Sequence, residues 1–301
     1  MIDAPSSRPL AGILWMLLSG LLFVIVNAAV KFLGPRVPAP EAAFLRYVLG
    51  LVLLIPVIRP IINARITPRQ WGMIGARGVL HAAGVALWFF AMARIPIADV
   101  TSINYLAPIF VAIGAALFLG ERLAARRIAA VIIGLLGAVV ILRPGLREIE
   151  LAHYGMILAT LLFAISYMFA KRLSDELPAM VVVAMLSVSV SVALLPMALP
   201  VWVTPDLTTI VVLFGVAVVA TIGHYTMTKA LRAAPITVTQ PVTFLQLVWA
   251  VMLGVTFFDE PVDPYVILGG GMIIAAVSFI TWREAKLNRK PVTPPPQATK
   301  L

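Results

Sequence analysis

Residues 93–122 read ARIPIADVTSINYLAPIFVAIGAALFLGER, and residues 232–261 read RAAPITVTQPVTFLQLVWAVMLGVTFFDEP. Pro96 matches Pro235, Leu106 matches Leu245 and Glu121 matches Glu260 at one constant offset. The duplication extends outward. WMLLSGLLFVIVNAAVKFLGPRVP at 15–38 lies over GMILATLLFAISYMFAKRLSDELP at 155–178, pairing Phe23 with Phe163, Lys31 with Lys171 and Pro38 with Pro178. Pro56 then meets Pro196, and Gly84 meets Gly223. Self-similarity on this scale marks an architecture built from a repeated structural unit.

Composition identifies the solvent. Hydrophobic residues make up 61% and charged residues 12% of the chain, against about 45–50% and about 25% in soluble domains. A soluble protein of this size needs more polar surface than the sequence supplies, so lipid surrounds most of it. The chain has no cysteine, which removes disulfide and thiolate chemistry. A net charge of +10 invites a nucleic-acid reading, but basic residues in the loops of an integral membrane protein set its orientation instead.

Apolar stretches long enough to cross a hydrocarbon layer of about 30 Å give ten spans: 10–31, 42–58, 71–93, 98–119, 125–142, 154–173, 178–198, 208–230, 236–257 and 264–282. The first is too long for the apolar core of a signal peptide and lacks a convincing cleavage site, so it is read as retained. With the N-terminus inside, cytoplasmic segments collect 16 Lys and Arg residues and the opposite side only five (Lys31, Arg36, Arg94, Arg143, Arg147). That bias places both termini in the cytoplasm. The expectation is an all-α integral membrane protein with ten transmembrane helices in two inverted five-helix repeats. Residues 1–9 form a cytoplasmic N-terminus, 10–142 and 154–282 the repeats, 143–153 the connecting loop, and 283–301 a disordered basic tail. Because five is odd, the second unit enters the membrane the other way up. Inverted repeats are a hallmark of carriers that expose a central site to alternate sides.

The signature APIFVAIGAALFLGER at 107–122, its copy LQLVWAVMLGVTFFDEP at 245–261 and the paired five-helix units resemble EamA-type members of the drug/metabolite transporter superfamily. Among ten-helix members the chain looks most like the YddG-type exporters of the bacterial inner membrane. That resemblance implies outward movement of aromatic and other apolar amino acids.

Candidate substrate contacts come from polar and aromatic residues inside the spans. Arg77, His81, Gly84 and Trp88 share one face of the third span, and Thr221, His224 and Thr228 one face of the eighth. Asn27 lies in the first span and Asn104 and Tyr105 in the fourth. Phe163 and Tyr167 lie in the sixth, and Thr243, Gln246 and Trp249 in the ninth. Amides have no partner in hydrocarbon, whereas the aromatics serve equally well as interhelical packing. No acid is placed at mid-membrane, which disfavours an intramembrane counter-ion for a lipophilic cation and favours transport without obligatory ion coupling; histidine remains able to relay protons. Glu121, Asp259 and Glu260 read as solvated helix-end charges. Pro56, Pro108, Pro196 and Pro241 are candidate hinges, because each removes a backbone donor within an apolar helix. Helices five and ten, rich in glycine, read as scaffold.

No catalytic cluster, metal-ligand spacing or nucleotide-binding loop is present, so no enzyme activity, cofactor or metal is expected. The expected partners are the lipid bilayer and a small-molecule substrate such as a hydrophobic amino acid; no nucleic acid is expected, and the protein is taken as a monomer. The alternative cargo is a sugar, nucleotide precursor or organic anion, with Arg77 and His81 as charge partners. An intramembrane enzyme is the remaining rival.

Overall fold

The computed structural model describes residues 9–119, 125–143, 145–146, 148–233 and 242–288. Their regular structure is helical, with no strand among the described residues. The helices are α1 Pro9–Leu33, α2 Ala39–Gly50, α3 Ile58–Asn63, α4 Pro68–Met92, α5 Ile97–Asn104, α6 Ala107–Leu119, α7 Ala125–Leu142, α8 Leu151–Glu176, α9 Ala179–Ala198, α10 Leu207–Ala233, α11 Leu245–Phe258 and α12 Pro264–Asn288.

Local chemistry sets the starts. Thr67 caps α4 by a reciprocal box: its hydroxyl accepts from the Gln70 amide at 3.3 Å while the Gln70 side-chain oxygen accepts from the Thr67 amide at 2.9 Å. Pro68 follows at the first helical position, where its missing donor costs nothing. Asp206 and Asp263 cap α10 and α12 through the Thr209 and Tyr265 amides at 2.7 and 2.9 Å. Asp259, in the left-handed region at φ 52°, ends α11.

Six helical stretches are long and apolar enough to cross a membrane: 10–36, 68–92, 151–170, 180–201, 207–227 and 264–283. Shorter apolar helices cover 97–111, 128–142 and 245–258. The expected second, fourth and ninth spans are each interrupted where the backbone departs from the α-helix. The second span gives way to a 3₁₀ stretch, Leu51–Val57, which contains Pro56. The fourth breaks at Tyr105–Leu106, just ahead of Pro108. In the ninth, helix α11 begins only after a turn at Phe244, and Pro241 lies outside the described residues. Pro196, by contrast, sits inside a continuous α9. At the ends, α8 already begins at Leu151, and α12 runs six residues past the expected boundary to Asn288. The rest of the expected tail, and Glu121, lie outside the described residues.

Burial follows the logic of a lipid-solvated bundle. On α7 the large side chains Ile128, Ile132, Leu136 and Val139 point outward, whereas Ala130, Ala138 and Ile141 are buried. Gly137 of α7 faces Gly269 of α12 so closely that a Cβ at Gly137 would stand 2.7 Å from the Gly269 carbonyl oxygen. Without hydrophobic driving force between helices in lipid, small residues bring backbones together. The core is centred on the broken fourth span, where Ile97, Ile103, Leu106 and Ile109 are fully buried.

Two contacts repeat each other. Gly84 on α4 leaves room for the Phe163 ring of α8, which lies 2.8 Å from where its Cβ would be; Gly223 on α10 leaves room for the Phe23 ring of α1, at 3.4 Å. These are the two glycine–phenylalanine pairs that the duplicated sequence aligns.

Candidate functional site

The ends and the interior of the bundle use charge differently. At the end marked by Lys31, charges are paired between sequence halves. Lys31 Nζ reaches the Glu260 carboxylate at 2.9 Å and donates to the Ile95 carbonyl at 2.7 Å. The other Glu260 oxygen accepts from the Ile97 amide at 3.0 Å. Gly254 leaves the space into which the Glu260 carboxylate folds. One lysine and one glutamate thus fasten α1 and the end of α11 to the turn between α4 and α5. Glu260, expected to be solvated, is only 10% exposed; the left-handed turn at Asp259 directs it inward, and the lysine partner sits far off in sequence.

Three further ties stand at this end. Asp99 and His153 are wholly buried and 3.1 Å apart. Arg143 pairs with Asp263 and stacks over the Tyr265 ring at 4.5 Å. Glu41, also wholly buried, accepts from the Val203 amide at 2.8 Å. His153 was not singled out in the sequence, and Glu41 and Asp99 were not recognised as buried acids. All three lie in the first turn of their helices, where sequence alone suggests solvent. A cavity of about 360 Å³ lies beside these ties, bordered by Asp99, Arg143, Glu150, Glu260 and Asp263 together with Val251, Val255 and Val266. None of the candidate substrate contacts lines it.

The interior layer brings together part of the candidate set. His81 on α4 is half-buried; its Nδ1 lies 3.2 Å from the Ser166 hydroxyl, and its ring sits 5.0 Å from Phe163 and 6.4 Å from Tyr47. Arg77, one turn earlier, is buried and donates from Nη1 to the Val182 carbonyl at 3.1 Å. Arg46 and His224 lie within electrostatic reach of His81, and Tyr47 and Tyr167 within reach of Arg77. The His224 ring meets Phe23 at 5.0 Å, edge to face. Tyr167, within electrostatic reach of Arg77, is half exposed on α8.

The other candidates divide. Tyr105 is buried, with its hydroxyl donating to the Thr243 carbonyl at 3.1 Å and its ring against Phe244, so it joins the breaks of the fourth and ninth spans. Gln246 packs beside Gly20. Asn27, Trp88, Thr243 and Trp249 are half-buried and Asn104 is exposed. Among the described residues no cluster of His, Cys, Asp or Glu has the makings of a metal site.

A multi-pass helical membrane protein with a polar interior layer and cross-half ties at one end belongs, by class, with membrane carriers. The EamA-like transporter family model matches it twice, over residues 10–143 and 151–282. The chain belongs to that family. It is 30% identical to a riboflavin transporter of Vibrio cholerae over 94% of this chain and 97% of that one. It is 27% identical to an S-adenosylmethionine uptake transporter of Rickettsia prowazekii, covering 92% and 94% respectively. A pseudopaline exporter of Pseudomonas aeruginosa is likewise 27% identical, over 88% and 94%. A crystal structure of a chain only 16% identical superposes with a TM-score of 0.60, covering 94% of this chain and 99% of that one.

Proposed function

We propose that the protein is a carrier that moves a small organic solute across a bacterial inner membrane by alternating access. Two inverted five-helix units, 10–142 and 154–282, enclose a central site in this reading, and both termini face the cytoplasm. The supporting observation is the reciprocal packing of Phe163 on Gly84 and Phe23 on Gly223. Equivalent contacts made twice by unlike parts of one chain are what an internal duplication with exchangeable halves requires. The ties at the Lys31 end hold one mouth shut while the halves are joined there.

The cargo combines a ring or apolar body with polar heteroatoms. Trp88, Phe163, Tyr167 and Trp249 contact the body; Asn27, His81, Asn104, His224, Thr243 and Gln246 contact the polar groups. Aromatic and other apolar amino acids meet this description. The cargos in the relatives' names widen it, and relatives named for uptake and for export share the same 27% identity with this chain, so amino-acid export is one member of a broader class. Movement needs no obligatory ion partner in this reading.

The test is counterflow in proteoliposomes holding the purified full chain, with tryptophan, riboflavin and S-adenosylmethionine as labelled solutes, in both directions and with and without a pH gradient. Saturable exchange of one of them supports the reading; silence across the panel, with folded protein, overturns it. Cysteines placed singly at Lys31 and Lys171 must label from opposite sides.

A further inference from the structure

Among the described residues, the interior layer holds arginines that no carboxylate pairs. Arg77 is 6% exposed, donates from Nη1 to one carbonyl, and keeps its Nε buried with no hydrogen-bond partner. Arg46, on the facing α2, rests its guanidinium 4.3 Å over the Tyr47 ring. Among the described residues no carboxylate forms an ion pair with either arginine, and His81 and His224 bring no negative charge. At the Lys31 end the half-buried Lys31 and Arg143 each pair with a carboxylate and His153 meets Asp99, whereas the exposed Arg36 and Arg94 rest over the Phe32 and Phe90 rings.

An arginine inside a bilayer is costly and ordinarily faces a partner or a pathway. Fastening α4 to Val182 needs a single donor, which a neutral side chain could supply; a guanidinium carries five, in a fork matched to carboxylate and phosphate oxygens. One turn along α4 the His81 imidazole packs 5.0 Å from the Phe163 ring, and Tyr167 lies within electrostatic reach of Arg77. A flat solute bearing an acid group fits both features.

We infer that Arg77, supported by Arg46 and His81, is the anion subsite of the central site, so that the transported solute carries a carboxylate or a phosphate next to its apolar or aromatic part. The inference rests on the carrier reading for its purpose, but not for its test. The bound acid supplies the negative charge that no described residue pairs with Arg77 or Arg46.

Equilibrium binding to the purified full chain in detergent, with matched probes, decides it: 3-phenylpropionate and phenyl phosphate as anions, 3-phenylpropanol as neutral and 3-phenylpropylamine as cation. The anions should bind at least about tenfold more tightly than the alcohol or the amine, as charge-assisted bonds require. The preferred anion identifies carboxylate or phosphate chemistry. Arg77→Gln should lose about tenfold or more for the anions and leave the alcohol unchanged, with Arg77→Lys in between. Equal binding of anions and alcohol, no saturable binding of either anion, or an undiminished anion preference in a folded Arg77→Gln protein overturns the subsite. Should that variant fail to fold, the wild-type probe series and Arg46→Gln carry the decision. Anion-selective binding without counterflow would remove the carrier reading and keep the subsite; counterflow blind to anionic charge would do the reverse.

Discussion

Tyr105 and Phe244 stand 139 positions apart in the chain and meet edge to face, ring centroids 5.4 Å apart, each at the break of its own helix. The Tyr105 hydroxyl adds a bond to the Thr243 carbonyl at 3.1 Å. Helix breaks free backbone carbonyls that lipid cannot satisfy, and here one break satisfies the other. Tyr105→Phe keeps the ring contact and loses the bond, so it should cost about 0.5–1.5 kcal/mol. Tyr105→Ala should cost more, since it also leaves a cavity. Thermal unfolding in detergent orders the three proteins; a Tyr105→Phe variant as labile as Tyr105→Ala would refute this division.

The Lys31–Glu260 clasp predicts how one mouth opens. Because the chain has no native cysteine, Ile97→Cys reports alone on a position that is fully buried behind the clasp. Its modification by a water-soluble thiol reagent should quicken when Lys31→Ala removes the tie and slow again with Lys31→Arg. An unchanged rate in Lys31→Ala would mean that other contacts hold this end.

Close helix approach predicts a ranking of glycine substitutions. Gly137→Ala drives its methyl against the backbone of α12, which cannot rotate away, and overpacking of this kind costs about 1–3 kcal/mol. Gly84→Ala meets the Phe163 ring, which can turn, so a smaller loss of stability is expected, with altered transport because that ring borders the interior layer. Gly271→Ala meets nothing within 4 Å and serves as the control. Equal melting temperatures for Gly137→Ala and Gly271→Ala would contradict the geometry.

The Asp99–His153 pair is buried on both sides, so removing one partner should be worse than removing both. Asp99→Leu or His153→Leu alone should cost about 3–5 kcal/mol, with much of that recovered in the double variant. A double-mutant cycle on thermal stability measures the coupling; strictly additive losses would show that the pair does not act as a unit.

Acid sensitivity should be traceable to one exposed cap. Hydrogen bonds from the Thr209 hydroxyl and amide hold the Asp206 carboxyl below its ordinary value of 3.8, with a smaller contribution from Arg36. A lowered folded value means that the cap stabilises fully above 3.8 and loses its effect as pH falls through the lower folded value. Asp206→Ala should therefore be less stable than the wild type at neutral pH, and the gap should close below that range. A gap that stays constant down to the acid limit would exclude the cap as its source.

Much of the architecture was legible in the chain. Apolar runs marked the long helices because hydrocarbon demands length and composition together, and the 125–142 span coincides with α7, but the breaks in the second and fourth spans were not read. The caps Thr67, Asp206 and Asp263 act locally but were not read from the sequence. The glycine–phenylalanine pairs were visible as aligned positions, though not as contacts. Less was legible in the site. His81 and Arg77 were marked by helical spacing, but nothing local distinguished Tyr105 as a tie from Tyr105 as a ligand contact.

The sequence by itself determined that this chain lives in lipid, is helical, contains one pattern twice and belongs with EamA-type transporters, since hydropathy, periodicity and repetition are properties of neighbours along the chain. Only the tertiary structure decided which charges are paired. Glu260 finds Lys31, and Asp99 finds His153, across separations that no local pattern records, while Arg77 finds the Val182 carbonyl and no carboxylate among the described residues. Electrostatic energy depends on distance in space and on what has been withdrawn from water, and both are set only once the helices have packed.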